Sequence, residues 1–295
     1  LPAELLDGNA VAARIRQEVA AEVAVLTGQG VQPGLAVVLV GDDPASAVYV
    51  AAKGRACVEV GIAERTIRLP ESTSQSELMM LLDELNADPA VHGILVQSPL
   101  PRQIDPKAVI RRINPEKDVD GFHPVNVGKL LAGDRDGFVP CTPAGIQELI
   151  RVANIPTFGR DCVVVGRSNI VGKPMAALMV QDGPTANCTV TICHRYTEDL
   201  AVHTRRADIL ITAVGKPGLV TGDMIKPGAA VLDVGITRIP DATRKSGTRL
   251  VGDVDFASAR EVAGWITPVP GGVGPMTIAM LLRNTVRSAH RHASA

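Results

Sequence analysis

Two α/β domains flanking a cleft, the second a Rossmann fold on a parallel sheet, are the architecture this sequence predicts. Three observations point there. Short β-branched runs alternate with amphipathic stretches along the whole chain, the pattern of parallel strands covered by helices. A strand, a glycine-bearing turn and a helix follow one another at "VVVGRSNIVGKP" (163–174). A Gly/Pro/Asp-rich stretch over 114–143 interrupts the alternation, and long irregular segments are usually functional or domain-joining.

The opening "LPAELLDGNAVAARIRQEV" is amphipathic, broken by Glu4, Asp7 and Arg14. "GLAVVLVG" (34–41) reads as a buried strand, and "ASAVYVAAKGRACVEVG" (45–61) as the helix after it. "ERTIRLP" (64–70) alternates as a strand does, and Ser74-Gln-Ser-Glu77 is a capping box that opens a helix to about Asn86. "VHGILVQ" (91–97) is the next strand and "PKAVIRRI" (106–113) another helical stretch. The segment 114–143 is too polar and broken for core. Beyond it, Thr142-Pro143 caps a helix to about Ala153. Strand "DCVVVG" (161–166) leads through the glycine turn to a helix from about Pro174. Strands "CTVTIC" (188–193), "DILITAV" (208–214), "AAVLDVG" (229–235) and "GWITP" (264–268) follow, and a long amphipathic helix ends the chain.

Composition removes several function classes. In 295 residues, 30 Lys and Arg stand against 31 Asp and Glu, so no broad basic surface for nucleic acid is expected. Aromatic residues make up 2%, which leaves few platforms for base stacking. No apolar run is long enough for a membrane span, and a cytoplasmic location is the default. The five cysteines form no paired framework, as in a reducing compartment. Cys188, Cys193 and His194 are the one near-cluster. Strand alternation turns the two thiols to opposite faces, so no metal site is expected.

The turn at 163–174 has the setting of a phosphate-binding loop. Gly166 permits the sharp turn, Ser168 is small, and Gly172 lets the helix approach closely, so that backbone N–H groups face a pyrophosphate. Its G-x-S-x-x-x-G spacing departs by one residue from the usual fingerprint, and a plain surface turn is the other reading. The next strand ends in His194-Arg195 with no carboxylate before Glu198. An acidic residue there would bind the ribose 2′-hydroxyl of NAD; Arg195, with Arg167 from the turn, instead suits a 2′-phosphate. The pattern favours NADP, although a solvated arginine at a strand end reads equally well. "TPVPGGVGPMT" (267–277) adds a Pro/Gly turn whose Gly271, Gly272 and Gly274 leave room for a flat ring or merely make a tight turn.

In the helix 45–61, Ser46, Tyr49 and Lys53 fall within about 60° of one another. Val50, Cys57 and Val60 share that side, and Arg55 and Glu59 lie opposite. A lysine on an apolar face is either a buried, paired structural group or a proton-handling one.

Taken in order, "YVAAK", "VQSPLP", "DVDGFHPVNVG", "PCTPAGI", "VGRSNIVGKP" and "PGGVGPMT" resemble the motifs of bifunctional methylenetetrahydrofolate dehydrogenase/cyclohydrolases, over essentially the whole chain. The stand-alone bacterial form is the one resembled. The resemblance implies a catalytic folate-binding domain over 1–138, joined by the final helix 275–295, and an NADP-binding Rossmann domain over 139–274. It implies oxidation of 5,10-methylenetetrahydrofolate by NADP, then hydrolysis of the methenyl product to 10-formyltetrahydrofolate, within one-carbon metabolism. Lys53 matches the catalytic lysine, Gln97 its partner, Tyr49 the aromatic packed on the folate and Asp120 the carboxylate that anchors the pterin. Ser46 belongs to the same site, with Pro270 and Gly272 beside the folate. Gly166, Arg167 and Ser168 match the phosphate turn, Arg195 the 2′-phosphate contact and Ile236 a nicotinamide-side contact. A homodimer through the Rossmann sheet is implied as well. Two departures stand out: Ser98 replaces a more usual leucine, making the folate wall more polar, and 181–189 is longer than common forms, near the approach to the adenosine end.

The chemistry sets its own demands. Hydride loss leaves an amidinium-like cation, so the site must mainly position the reacting carbon. Hydrolysis needs a water and a group that moves a proton, for which a desolvated lysine is suited. Without the resemblance, Asp120 reads as a turn-capping aspartate before Gly121. Two rival functions also stand: an NADP-dependent dehydrogenase of another small substrate, and a non-catalytic NADP-binding protein. The latter needs none of Lys53, Tyr49 and Gln97.

Overall fold

The computed structural model describes residues 2–244 and 247–293. A short strand β1 (Glu4–Leu5) precedes α1 (Gly8–Gly28) and β2 (Gly34–Val40). All seven residues of β2 are buried, as befits an apolar strand paired on both edges and covered on both faces. Asp43 then caps α2 (Pro44–Val60) by accepting the Ser46 N–H at 2.7 Å, with Pro44 in the first helical turn. Gly61, at φ 81°, ends that helix in the left-handed conformation. β3 (Ala63–Leu69), α3 (Gln75–Ala87) and β4 (Gly93–Val96) follow. Both bonds of the Ser74/Glu77 capping box form at the start of α3, and Leu78, Leu82 and Leu85 bury its apolar stripe. The three strands make a parallel sheet in the order β3-β2-β4.

Next come α4 (Pro106–Arg112), α5 (Pro124–Ala132) and α6 (Cys141–Val152). The second half of the chain runs β5 (Asp161–Val165), α7 (Gly172–Met179), β6 (Thr189–Cys193), α8 (Leu200–Thr204), β7 (Ile209–Thr212) and β8 (Ala230–Asp233). An antiparallel pair, β9 (Thr237–Pro240) and β10 (Thr248–Val251), precedes α9 (Phe256–Arg260), β11 (Trp265–Ile266) and α10 (Val273–Ala293). Six strands form a parallel sheet in the order β1-β11-β8-β7-β5-β6. The chain leaves β5 for β6 on one side and returns to β7 on the other. The direction of winding thus reverses between β5 and β7, where ligands of open α/β sheets lie at the carboxyl ends of the strands.

Two compact units result. One comprises Leu1–Ala12 and Thr142–Thr277, with the six-stranded sheet; the other comprises Ala13–Cys141 and Ile278–Ala295, with the three-stranded sheet. The N-terminal segment contributes to the six-stranded sheet. Residues 4 and 5 pair with β11, so the first twelve residues group with the six-stranded unit, because an extended N-terminal segment completes an otherwise open sheet edge. Segment 114–143 departs from expectation. It contains α5, opened by His123 accepting the Val125 N–H at 3.1 Å and by Pro124, and its Lys117, Asp118, Val119, Leu130 and Phe138 are buried. The β9–β10 pair and the short α8 and α9 were not expected either, and α7 begins two residues before Pro174.

Where β4 begins, buried His92 accepts the Gly34 N–H through Nδ1 at 3.1 Å. Burial is the main cause that lowers its pKa from 6.5, assisted by the nearby His292 and Lys117 and opposed by Asp88. The folded state therefore holds fewer protons than the unfolded chain at mildly acidic pH. This stabilisation is present above about pH 6.5 and is lost as pH falls through the lowered value. Denaturant melts between pH 8 and 5 are expected to show a smaller acid loss of stability for His92→Gln than for the wild type.

Candidate active site

The helix α2 seats its site residues as helical spacing requires. Ser46, Val50, Cys57 and Val60 are buried, while Arg55 and Glu59 face solvent. Lys53 lies half-buried on the inner side. Its Nζ donates to Gln97 Oε1 at 3.0 Å, and among the described residues no carboxylate lies within ion-pair distance of it. Gln97 leaves β4 with its N–H on the Val38 carbonyl at 2.9 Å, and its Nε2 donates to the Ser98 carbonyl at 2.8 Å. Ser46 Oγ donates to that same carbonyl at 3.3 Å. Ser98 thus takes part through its backbone, so the exchange of leucine for serine leaves these bonds intact. Tyr49, one turn before Lys53, keeps 46% of its surface exposed, an open ring beside the lysine.

Asp118 and Asp120 divide the work of the "DVDG" turn. Buried Asp118 accepts the N–H groups of Phe122 at 3.2 Å and His123 at 2.8 Å, and the Asn126 amide at 2.8 Å. The turn-capping role considered for Asp120 therefore falls to Asp118. Burial pushes the Asp118 pKa up to about 7 against the pull of those donors, with Asp120 adding like-charge repulsion. Asp120 accepts no backbone N–H among the described residues; its one hydrogen bond comes from Cys141 Sγ to Oδ1 at 3.8 Å. Burial raises the Asp120 pKa, while the positive charge of Lys53 and the Cys141 thiol lower it. Ser46, Tyr49, Lys53, Gln97 and Asp120 all belong to one unit.

The phosphate turn lies in the other unit. Gly166 has φ 134°, and a Cβ there would come 2.4 Å from the Ala213 carbonyl oxygen, across the point where the winding reverses. Gly172 is equally obligatory, since its Cβ would sit 2.2 Å from Gly166 O. Ser168 Oγ accepts the N–H groups of Val171 at 3.1 Å and Gly172 at 3.3 Å. These two donors, expected to face a ligand, are thus satisfied internally. The N–H groups of Arg167, Ser168, Asn169 and Ile170 carry no hydrogen bond among the described residues. The Arg195 and Arg167 guanidiniums lie 4.7 and 5.6 Å from the centre of the Tyr196 ring, and among the described residues neither pairs with a carboxylate. Two cations on one ring beside a turn of free N–H groups fit a ligand that carries a pyrophosphate and a further phosphate. The segment 181–189 closes on itself, with Asn187 N–H on Gln181 O at 2.8 Å.

Ile236, Pro270 and Gly272 share a pocket of about 380 Å³ with Asn9, Asp233 and Gly274. Gly272 must be glycine for packing alone, because its Cβ would meet Pro268 O at 2.6 Å. Gly274, whose Cβ would lie 3.5 Å from Ile236 Cδ1, is better placed to leave room for a ring. Two aspartates absent from the sequence-based expectations shape these loops. Buried Asp253 accepts the N–H groups of Val214, Gly215 and Lys216 at 2.7, 3.2 and 2.7 Å. Asp233 accepts those of Gly235, Asp253 and Val254 at 2.9, 3.0 and 2.9 Å, and the Thr212 hydroxyl at 3.0 Å. Burial pushes the Asp233 pKa up to about 6 despite these donors.

Comparison with known proteins agrees with both halves of this geometry. Residues 6–120 match the family model "Tetrahydrofolate dehydrogenase/cyclohydrolase, catalytic domain", and residues 140–293 match "Tetrahydrofolate dehydrogenase/cyclohydrolase, NAD(P)-binding domain". The bifunctional protein FolD of Moorella thermoacetica is 60% identical over 99% of this chain and 100% of its own. The FolD methylenetetrahydrofolate dehydrogenase/cyclohydrolase of Campylobacter jejuni superposes with a TM-score of 0.93 at 48% identity, over 98% of this chain and 99% of that one. The Trypanosoma brucei FolD enzyme, solved with NADP cofactor and inhibitor, gives 0.94 at 42% identity over the whole of both chains. On these matches, spanning both units and nearly every residue, the chain belongs to the tetrahydrofolate dehydrogenase/cyclohydrolase family.

Proposed function

We infer that this protein is a bifunctional enzyme of one-carbon metabolism. It oxidises 5,10-methylenetetrahydrofolate with NADP and hydrolyses the resulting 5,10-methenyltetrahydrofolate to 10-formyltetrahydrofolate. The observation that carries the second activity is the Lys53–Gln97 pair at 3.0 Å. A lysine held by a neutral amide, with no carboxylate neutralising it, keeps its proton chemistry available to a substrate.

Bound NADP supplies the hydride acceptor. For its phosphates, the free N–H groups of the 167–170 turn hold the pyrophosphate, and Arg195 with Arg167 take the 2′-phosphate. Ile236 flanks the nicotinamide. On the folate side, Asp120 accepts hydrogen bonds from the donor-rich pterin edge, and Tyr49 packs against the ring system. Pro270 and Gly272, on the glycine-rich loop before α10, are further folate contacts by the family resemblance, and Ser46 braces the Ser98 carbonyl beside Gln97. Once the methenyl cation has formed, Lys53 moves the proton that water must lose in attacking it, and Gln97 keeps the amine in place. Hydride transfer itself asks for position more than for acid or base.

The 1–138 domain, joined by the final helix 275–295, would carry the folate chemistry, and 139–274 the cofactor. We place the enzyme in the cytoplasm, with tetrahydrofolates as its small-molecule partners and neither nucleic acid nor membrane among them. No helix among the described residues is long and apolar enough to cross a membrane. A homodimer through the six-stranded sheet is favoured by β6, which ends that sheet and leaves Ile192 40% exposed. Light scattering at micromolar concentration should give twice the chain mass, and a monomer would refute this assembly.

A spectrophotometric assay that separates NADPH formation from methenyl decay tests the rest. Lys53→Met is expected to fold normally and lose roughly 10²–10⁴-fold in methenyl hydrolysis; unchanged hydrolysis would remove Lys53 from its role. Arg195→Ala is expected to weaken NADP by roughly 10–100-fold and NAD far less. Equal losses would mean that Arg195 does not read the 2′-phosphate.

A further inference from the structure

Cys141, the first residue of α6, and Asn284, on α10, are both buried and both turn toward the peptide that precedes Asp120. Asn284 Nδ2 donates to the Val119 carbonyl at 2.8 Å and to Val139 O at 3.2 Å, and lies 3.7 Å from Cys141 Sγ. The thiol in turn reaches Val119 O at 3.4 Å and Asp120 Oδ1 at 3.8 Å. A thiol has one proton. Because Val119 O already receives the Asn284 N–H, the carboxylate is the acceptor that the thiol alone supplies. Among the described residues Asp120 has no other donor.

The groups facing Asp120 are few. Among the described residues, Lys53 presents its charge from α2, Asp118 lies two residues earlier on the same turn and Cys141 comes from α6, while from α10 the neutral Asn284 meets the preceding Val119 carbonyl. Burial and the Asp120 charge push the Cys141 thiol well above its usual range, so it keeps its proton and remains a donor. With backbone N–H groups assigned to Asp118 instead, the carboxylate of Asp120 has little else to hold it.

We propose that Cys141 and Asn284 are positioning residues for the enzyme's reaction: Asn284 anchors the Val119 peptide and seats the thiol, which donates to Asp120 Oδ1 and keeps that carboxylate aimed at the pterin. This rests on the reading of Asp120 as the pterin anchor. Removing the donor favours the protonated form of Asp120, so the acid limb of kcat/KM moves to higher pH. Loss of aim shows mainly in KM for the folate.

The test compares pH profiles of both activities for the wild type, Asp120→Asn, Cys141→Ala, Cys141→Ser and Asn284→Ala, with folding checked by circular dichroism. Asp120→Asn should raise KM for methylenetetrahydrofolate. Cys141→Ala should shift the acid limb up by about half a pH unit or more and raise KM several-fold, with kcat less affected. Cys141→Ser, whose hydroxyl donates in the same place, should restore the limb, and Asn284→Ala should shift it as Cys141→Ala does. Full activity in Asp120→Asn overturns the reading of Asp120 and this proposal with it. An impaired Asp120→Asn beside a Cys141→Ala profile that superimposes on the wild type overturns the proposal alone. Should Cys141→Ala not fold, the S–H infrared band of the wild type decides. A red-shifted component that disappears in Asp120→Asn supports the thiol–carboxylate bond, and its absence from the wild type overturns it.

Discussion

Three buried aspartates, Asp118 in one unit and Asp233 and Asp253 in the other, accept the backbone N–H groups of loops that carry the proposed site residues, and the shape of each loop depends on them. Each loop leaves a strand or turn where the regular ladder has ended, so its donors have no partner within secondary structure. An N–H left unpaired in the interior costs roughly 1–3 kcal/mol. Asp253 satisfies three consecutive donors after β7, and Asp233 satisfies three more around β8 and β10. Asp118 does the same for the turn that precedes α5. The carboxylates are close to saturated by these loops, so their function is to fix backbone. Glycines complete the arrangement: Gly252 and Gly235 could not carry a Cβ without striking Asp233 Oδ2 and the Asp253 carboxyl at 1.9 and 2.5 Å.

How much of this the residues disclosed beforehand depended on range along the chain. The capping box at Ser74, the buried run of β2 and the inner face of α2 are local patterns, and each forms as its spacing implies. The glycine turn after β5 is local too. Its Ser168 accepts from Val171 and Gly172, which spacing alone does not reveal. Helix α5 escaped notice because its cap is a histidine, a weak signal beside serine or aspartate, and because its neighbours are rich in Gly, Pro and Asp. In "DVDG" the two aspartates are equally plausible caps by composition; only the turn's path gives Asp118 the backbone donors and leaves Asp120 without them. Asp233 and Asp253 were out of reach for the same reason. Their partners lie up to 39 residues away, and no periodicity links them.

The two ionisable groups proposed to meet the folate, Lys53 and Asp120, share an electrostatic field without sharing an ion pair. Their immediate partners are neutral: a glutamine amide for the lysine and a thiol for the carboxylate. This division has a physical consequence. A direct Lys–Asp bridge would favour both charged forms and spend the lone pairs and protons that a substrate needs. Neutral partners fix the direction of each side chain while leaving one face of the amine and one oxygen of the carboxylate uncommitted. Desolvation supplies the remaining control, since it raises the cost of charge on Asp120 and makes its protonation responsive to what lies nearby. A cationic intermediate arriving beside such a carboxylate would be stabilised by it, and would in turn favour release of a proton from the amine. On this view the amide and the thiol hold the two charged groups apart, and that separation leaves one residue free to bind while the other moves a proton.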